Sequence, residues 1–142
     1  RTSPPPAMIA FDAAERNVCI VRREVTSTPL QSLILLNDPQ LTEASRFLAE
    51  RMLKEGGADL RSQLAYLFRL LTSRAPKETE LAVLEKMYHE QETIFARNEQ
   101  ETLNLLLVGE KANDPSIPPV RLAAASVVAS ALLNFDGTII RR

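Results

Sequence analysis

Tryptophan is absent and cysteine occurs once, at Cys19. A lone cysteine closes no internal disulfide, and by itself it says little about redox compartment. Histidine also occurs once, at His89. That excludes a two-histidine metal motif, and neither a C-x-x-C-H haem attachment nor a Cys/His zinc spacing is present. Aromatic residues are only 5% of the chain, too few for a base-stacking platform. Neither sign of charge is in excess, with Lys plus Arg at 17, Asp plus Glu at 18 and a net charge of -1. A protein that lives on nucleic-acid phosphates or on anionic lipid needs a basic surplus, which this composition lacks. No apolar run reaches the ~18 residues of a membrane span. The most apolar stretch, "LAAASVVASALL" (Leu122–Leu133), is shorter and carries Ser126 and Ser130, so it reads as a core helix.

What is there is ordinary globular material. Hydrophobic residues make up 45% and charged residues 25% of 142 residues, enough for one domain with a real core. The chain reads as a single helical domain over 1–142, an arm over 1–27 and a helical body over 28–142. Its first residues, "RTSPPPAMIAFD", carry no basic-then-apolar leader and read as the tail of a preceding element, so the chain is expected to be the C-terminal part of something longer. The prolines at 4–6 favour polyproline II, and the β-branched stretch Asn17–Thr26 is compatible with an extended arm.

"TSTPLQSLILLNDPQL" (Thr26–Leu41) packs two threonines, two Xaa-Pro steps and an Asn-Asp pair around one apolar run. Thr28-Pro29-Leu30-Gln31 has the form of a capping box, with Thr28 at the N-cap, proline at the first helical position and Gln31 reaching back. A short helix over Leu30–Leu36 follows. Asn37 ends it, and Asp38-Pro39 opens the next helix by the same logic, over Pro39–Lys54. "EGGAD" breaks that helix, and Asp59 caps a third with the stripe Leu60, Leu64, Leu67, Phe68 and Leu71. A long charged helix spans Glu78–Arg97, with Leu81, Leu84, Tyr88 and Phe95 facing inward. Asn98 and Glu101 form another cap pair, opening a fifth helix through Val108. After a long loop, Gly109–Pro119, the last helix over Val120–Leu133 is apolar on most sides and suits the centre of a bundle. The expectation is an all-α, compact bundle of five or six helices with an irregular, Pro-rich N-terminal arm.

Few residues suggest chemistry. His89 has Glu85 and Glu92 at helical spacing, but Lys86 stands where a Glu-x-x-His di-iron motif needs its glutamate, so a solvated charged face is the expected reading. Cys19 lacks a local base and orienting group and reads as a small hydrophobe. The basic pairs Arg22-Arg23 and Arg141-Arg142 read as solvated or ion-paired. Asp12, Asn37, Asp38, Asn134 and Asp136 all sit beside turns; were they to converge at one end of the bundle, their oxygens would suit a hard cation. Capping accounts for each more economically, so no catalytic, cofactor-binding or metal residue is assigned. Thr28, Asp38 and Asn98 are assigned as structural caps.

The string from "RTSPPPAMIAFDAAERNVCIVRREVTSTPLQSLILLNDPQLTEASRFLAERM" through "FRLLTSRAPKETEL" to "LLNFDG" resembles the planctomycete-specific C-terminal domain of unknown function. The chain departs from that family's pattern at Ser27, at Phe135 and Gly137, and where Ala124-Ala125-Ser126 replaces a tryptophan-containing segment. The resemblance implies a large exported protein with a cytochrome c-like domain near its N-terminus, hence an extracytoplasmic location and a haem outside this piece. It carries over no catalytic residue. The function expected is a non-catalytic helical module that docks against other domains of its parent. The alternatives are one wall of an enzyme site acting on extracellular polysaccharide, or a metal- or small-ligand-binding module built on the turn carboxylates.

Overall fold

The computed structural model describes residues 6–13, 21, 26 and 28–139. Eight helices occur among them and no strand: α1 (Pro6–Ala10), α2 (Pro29–Asn37), α3 (Pro39–Glu55), α4 (Leu60–Thr72), α5 (Glu78–Arg97), α6 (Glu99–Leu106), α7 (Pro119–Leu133) and α8 (Asp136–Ile139). The protein is all-α.

The architecture is organised around α7. Its sequence, PVRLAAASVVASALL, is rich in alanine, the strongest helix former, and has one charged residue, Arg121. Ala123, Ala124, Ala125, Val128 and Ala129 are completely buried, so small side chains line more than one side of the helix. Small residues let neighbouring backbones approach closely, and α3 and α5 pack along α7 most extensively, with α6, α4 and α2 completing the wall. The buried apolar residues form one cluster, to which α3 gives Ala49 and Met52, α4 Leu64, Leu67 and Phe68, and α5 Leu81, Leu84, Tyr88 and Phe95.

Local chemistry sets the helix ends. Asp59 accepts a hydrogen bond from Ser62 N at 2.9 Å and caps α4, which ends at Ser73 in a left-handed turn. Between α3 and α4 the chain must turn sharply at Gly56, where a Cβ would lie 2.5 Å from Met52 O and 2.6 Å from Gln63 Cα. Only glycine fits so close to two backbones. Glu80, in the first turn of α5, accepts from Lys77 N at 2.7 Å and from Arg74 at 2.6 Å and 2.8 Å. The Arg74 bonds, then the Lys77 amide, hold its carboxyl down at about 2.

The structure departs from the sequence expectation in its outermost parts. Two one-turn helices, α1 and α8, bring the total to eight rather than five or six. In the arm expected to be irregular over 1–27, Pro6 opens α1, because the first helical position needs no amide hydrogen. Residues 4 and 5 lie outside the described residues, as does most of Asn17–Thr26. The other boundaries shift by one or two residues: α3 runs to Glu55, α6 stops at Leu106 and α7 begins at Pro119.

Substitutions in α7 should therefore be costly in both directions. Leu122→Ala is expected to lose about 2–5 kcal/mol by opening a cavity, and Ala125→Leu about 1–3 kcal/mol by overpacking. Urea melts of both variants check this; a neutral Ala125→Leu would show that α7 is less tightly enclosed than its burial indicates.

Candidate functional site

The turn residues singled out in the sequence fall into separate local structures. Asp12 closes α1 in a left-handed conformation, φ 55°, which aspartate tolerates better than most residues. Its Oδ2 accepts from both the backbone N and the Oγ1 of Thr26, each at 2.7 Å. Thr26 Oγ1 in turn accepts from Gln31 Nε2 at 3.0 Å, and the same Nε2 donates to Ala10 O at 2.8 Å. Gln31 also completes the capping box: its Oε1 accepts from Thr28 N at 3.0 Å, and its own N donates to Thr28 Oγ1 at 3.4 Å. Gln31 thus satisfies both ends of its amide and ties the end of α1 to the start of α2.

Asp38 Oδ1 accepts from Gln40 N at 2.8 Å and Leu41 N at 3.3 Å, capping α3. Asn98 Oδ1 accepts from Glu101 N at 3.4 Å at the start of α6. Asn37 Nδ2 donates to Leu33 O within its own helix at 2.8 Å, while Asn134 Nδ2 reaches Ser32 O at 3.2 Å and ties the end of α7 to α2. Asp136 opens α8. Among the described residues no group of three or more His, Cys, Asp or Glu side chains is placed to hold a metal ion, so Asp12, Asp38 and Asp136 form no such group. His89 is exposed, with Nδ1 3.5 Å from Glu92 Oε2 and its ring edge-on to Tyr88. Cys19, Arg22, Arg23, Arg141 and Arg142 lie outside the described residues.

The surface of α2 inverts the usual pattern. Its one buried residue is polar, Gln31, at 9% exposure. Leu30, Leu33 and Leu36 stay 56%, 57% and 49% exposed, and no charged side chain interrupts the helix. Met8, Ile9 and Phe11, on and just after α1, are exposed too. The reason lies in the network above: Gln31 is drawn inward by Ala10, Thr26 and Thr28, and that rotation turns the leucines out. Beside α2 a groove of about 250 Å³ opens over α7, walled by Leu36, Met87 and Leu105 and floored by Ser126, Val127, Ser130 and Ala131.

A larger, more open hollow of about 560 Å³ runs along α4, lined by Ser62, Tyr66, Arg69, Leu70 and Ser73. At its edge Tyr66 donates to Glu55, which also pairs with Arg51 at 3.2 Å. The Glu55 hydrogen bond pushes the Tyr66 phenol up, and the Arg51 bond followed by that of Tyr66 pulls Glu55 down. Elsewhere the direction is the same. Asp59 is lowered by the Ser62 amide, Arg61 is raised by Glu78, and Arg74 is raised by Glu80. Each shift reinforces the protonation state the group already has near neutral pH, whereas a general acid or base needs a pKa drawn toward it.

The family model described as PSD1, a protein of unknown function (DUF1553), matches residues 1–88, more than half of the chain. The chain belongs to the PSD1 family. The PSD1 match takes in α1 through α4 and the first part of α5, as far as Tyr88, and therefore includes the inverted α2. The central helix α7, with α6 and α8, follows it. No curated protein and no solved structure matches the chain.

The caps and the Gln31 hub make separable predictions. Thr28→Ala and Asp38→Ala should each cost about 1 kcal/mol in denaturant melts. Gln31→Ala should cost more, about 1–3 kcal/mol, because it leaves partners on both sides unsatisfied. A Gln31→Ala variant as stable as wild type would remove the hub as the reason for the inversion of α2.

Proposed function

We propose that this chain is a non-catalytic helical module that docks against other domains of a larger exported planctomycete protein, and that the face formed by α1 and α2 is the docking surface. One observation carries the reading: α2 holds a glutamine inside and presents three leucines to solvent. Fully burying a leucine contributes about 1.5–3 kcal/mol, so covering these half-exposed side chains is worth roughly 1 kcal/mol each. Met8, Ile9 and Phe11 enlarge the patch. Apolar surface grouped in this way marks interaction sites on soluble proteins, while scattered single residues do not.

The nature of the parent comes from the sequence resemblance. It supports an extracytoplasmic protein with a cytochrome c-like domain, whose haem would lie outside this piece. The rival reading, one wall of a polysaccharide-acting site, has the hollow along α4 in its favour, since Tyr66 and Arg69 are side chains that suit sugar binding. Against it, the Tyr66 phenol and the Glu55 carboxylate hold each other away from acid–base duty.

Calorimetry with the separately expressed upstream region of the parent tests the docking reading. Binding is expected to change little with salt, because α2 brings no charge. Leu33→Glu should weaken it at least about tenfold with helicity unchanged, the effect of losing roughly 1.4 kcal/mol. Absence of binding at high micromolar concentration, together with turnover of a polysaccharide by the isolated chain, would favour the rival.

A further inference from the structure

Four side chains one or two turns apart on one face of α3 hold the loop that precedes α7. Glu43 Oε1 accepts from Lys111 N at 2.8 Å, and Arg46 Nη2 donates to Lys111 O. Glu50 Oε1 accepts from Asp114 N at 3.2 Å, and Lys54 pairs with the Asp114 carboxylate. The spacing 43, 46, 50, 54 is that of a single helix face, so the loop lies lengthwise along α3. Gly109 lets it lie so close: its φ is 104°, and a Cβ there would meet the Glu43 side chain at 2.5 Å.

Beneath the loop, Arg46 is only 2% exposed, and its Nε and Nη1 have no hydrogen-bond partner. Its charge is balanced by Glu43 at 3.6 Å and Glu50 at 3.8 Å. The Phe47 ring lies within 5.0 Å of the Arg46 guanidinium and 5.5 Å of Lys111 Nζ. The loop's apolar anchors stand only at its two ends, at Leu106 and Ile117, both buried; residues 109–112, 115 and 116 are exposed.

We infer that residues 109–116 form an acid-released strap: protonating Glu43 and Asp114 frees it from α3 while the helices stay folded, uncovering Arg46 and Phe47. The attachments are unlike those of the rest of the fold, because every rung depends on a carboxylate or on the arginine that two of those carboxylates neutralise. The charged groups facing one another are Glu43, Arg46, Glu50 and Lys54 on α3, with Glu110, Lys111 and Asp114 on the strap. Once Glu43 is neutral, Arg46 is a buried charge that has lost one of its two counterions and has two donors already unpartnered. Such a group is strongly driven to water, and its way out is through the strap. The ends remain held by apolar burial, which acid does not weaken.

The linkage has the required sign. The Lys111 amide lowers the Glu43 carboxyl, and the Lys54 hydrogen bond holds Asp114 well below the usual carboxylate range. Carboxylates depressed by folding stabilise the strap above their ordinary values of about 4, and that contribution is lost as pH falls toward the lowered ones.

The amides of Lys111 and Asp114 donate directly to carboxylates of α3, so their hydrogen exchange reports the strap. Residue-resolved exchange on the full 142-residue chain, corrected for intrinsic rates, should show their protection falling at least about tenfold between about pH 5 and about pH 3. The amides of Leu122 and Ala125 in α7 should keep theirs over the same range. The Glu43→Gln, Glu50→Gln double variant removes both counterions of Arg46 and should lose protection at Lys111 and Asp114 near neutral pH. Protection that persists through the titration, or disappears there and in α7 as a single step, would overturn the strap. So would a folded double variant that keeps the wild-type pattern; should that variant not fold, the wild-type titration decides alone.

Discussion

Close packing of α3 and α5 against α7 is the constraint from which the other features follow. Because α7 presents small side chains of its own, the backbones of its neighbours come near it, and little volume is left for adjustment. The buried apolar residues of α3, α4 and α5 are committed to this core. What remains outside it must be held by other means, and the structure uses polar ties there. The α1–α2 corner is joined by Gln31, Thr26 and Asp12, the end of α7 is tied to α2 by Asn134, and the loop before α7 is held by the charged face of α3.

These two kinds of attachment respond differently to conditions. Apolar burial is indifferent to pH, whereas ties built on carboxylates weaken when the carboxylates are protonated. The body and its periphery are therefore separable in energy. The α3 helix takes part in both regimes, with Ala49 and Met52 turned to the core and Glu43, Glu50 and Lys54 turned to the loop. Arg46 sits at the boundary, buried as deeply as the core residues beside it yet dependent on charges that the loop helps to shield.

How much of this can be read from sequence depends on how local the cause is. The caps at Thr28, Asp38, Asp59 and Asn98 involve partners two or three residues away, so residue type and spacing suffice, and the structure shows each bond. The long helices follow for the same reason, since hydrophobic periodicity is a local property. The orientation of α2 could not be read this way. Which side faces in is revealed by the bonds from Gln31 to Thr26 and to Ala10, the latter 21 residues away in sequence. The ladder on α3 was equally hidden, because Glu43, Glu50 and Lys54 meet partners 60 or more residues away in sequence. Asp12 illustrates both cases. Its place beside a turn was legible, but its partner, Thr26, lies 14 residues on, in a stretch that gave no periodic signal.

The same distinction bears on function. A catalytic site brings together groups whose protonation states are unsettled, in a place where water can be excluded. Among the described residues, perturbed groups are dispersed over the surface in pairs such as Arg74–Glu80, Arg51–Glu55 and Lys54–Asp114, and each partner stabilises the charge of the other. Such pairs add little stability individually in water, but they determine how a surface segment lies. The α1–α2 face has the opposite character: it is uncharged along α2, apolar, and oriented by a glutamine that makes every hydrogen bond its amide needs on the inner side. A helix that satisfies its polar side chain internally and leaves Leu30, Leu33 and Leu36 outside has its stability increased by an apolar neighbour. That thermodynamic asymmetry is the physical basis of the docking surface proposed above.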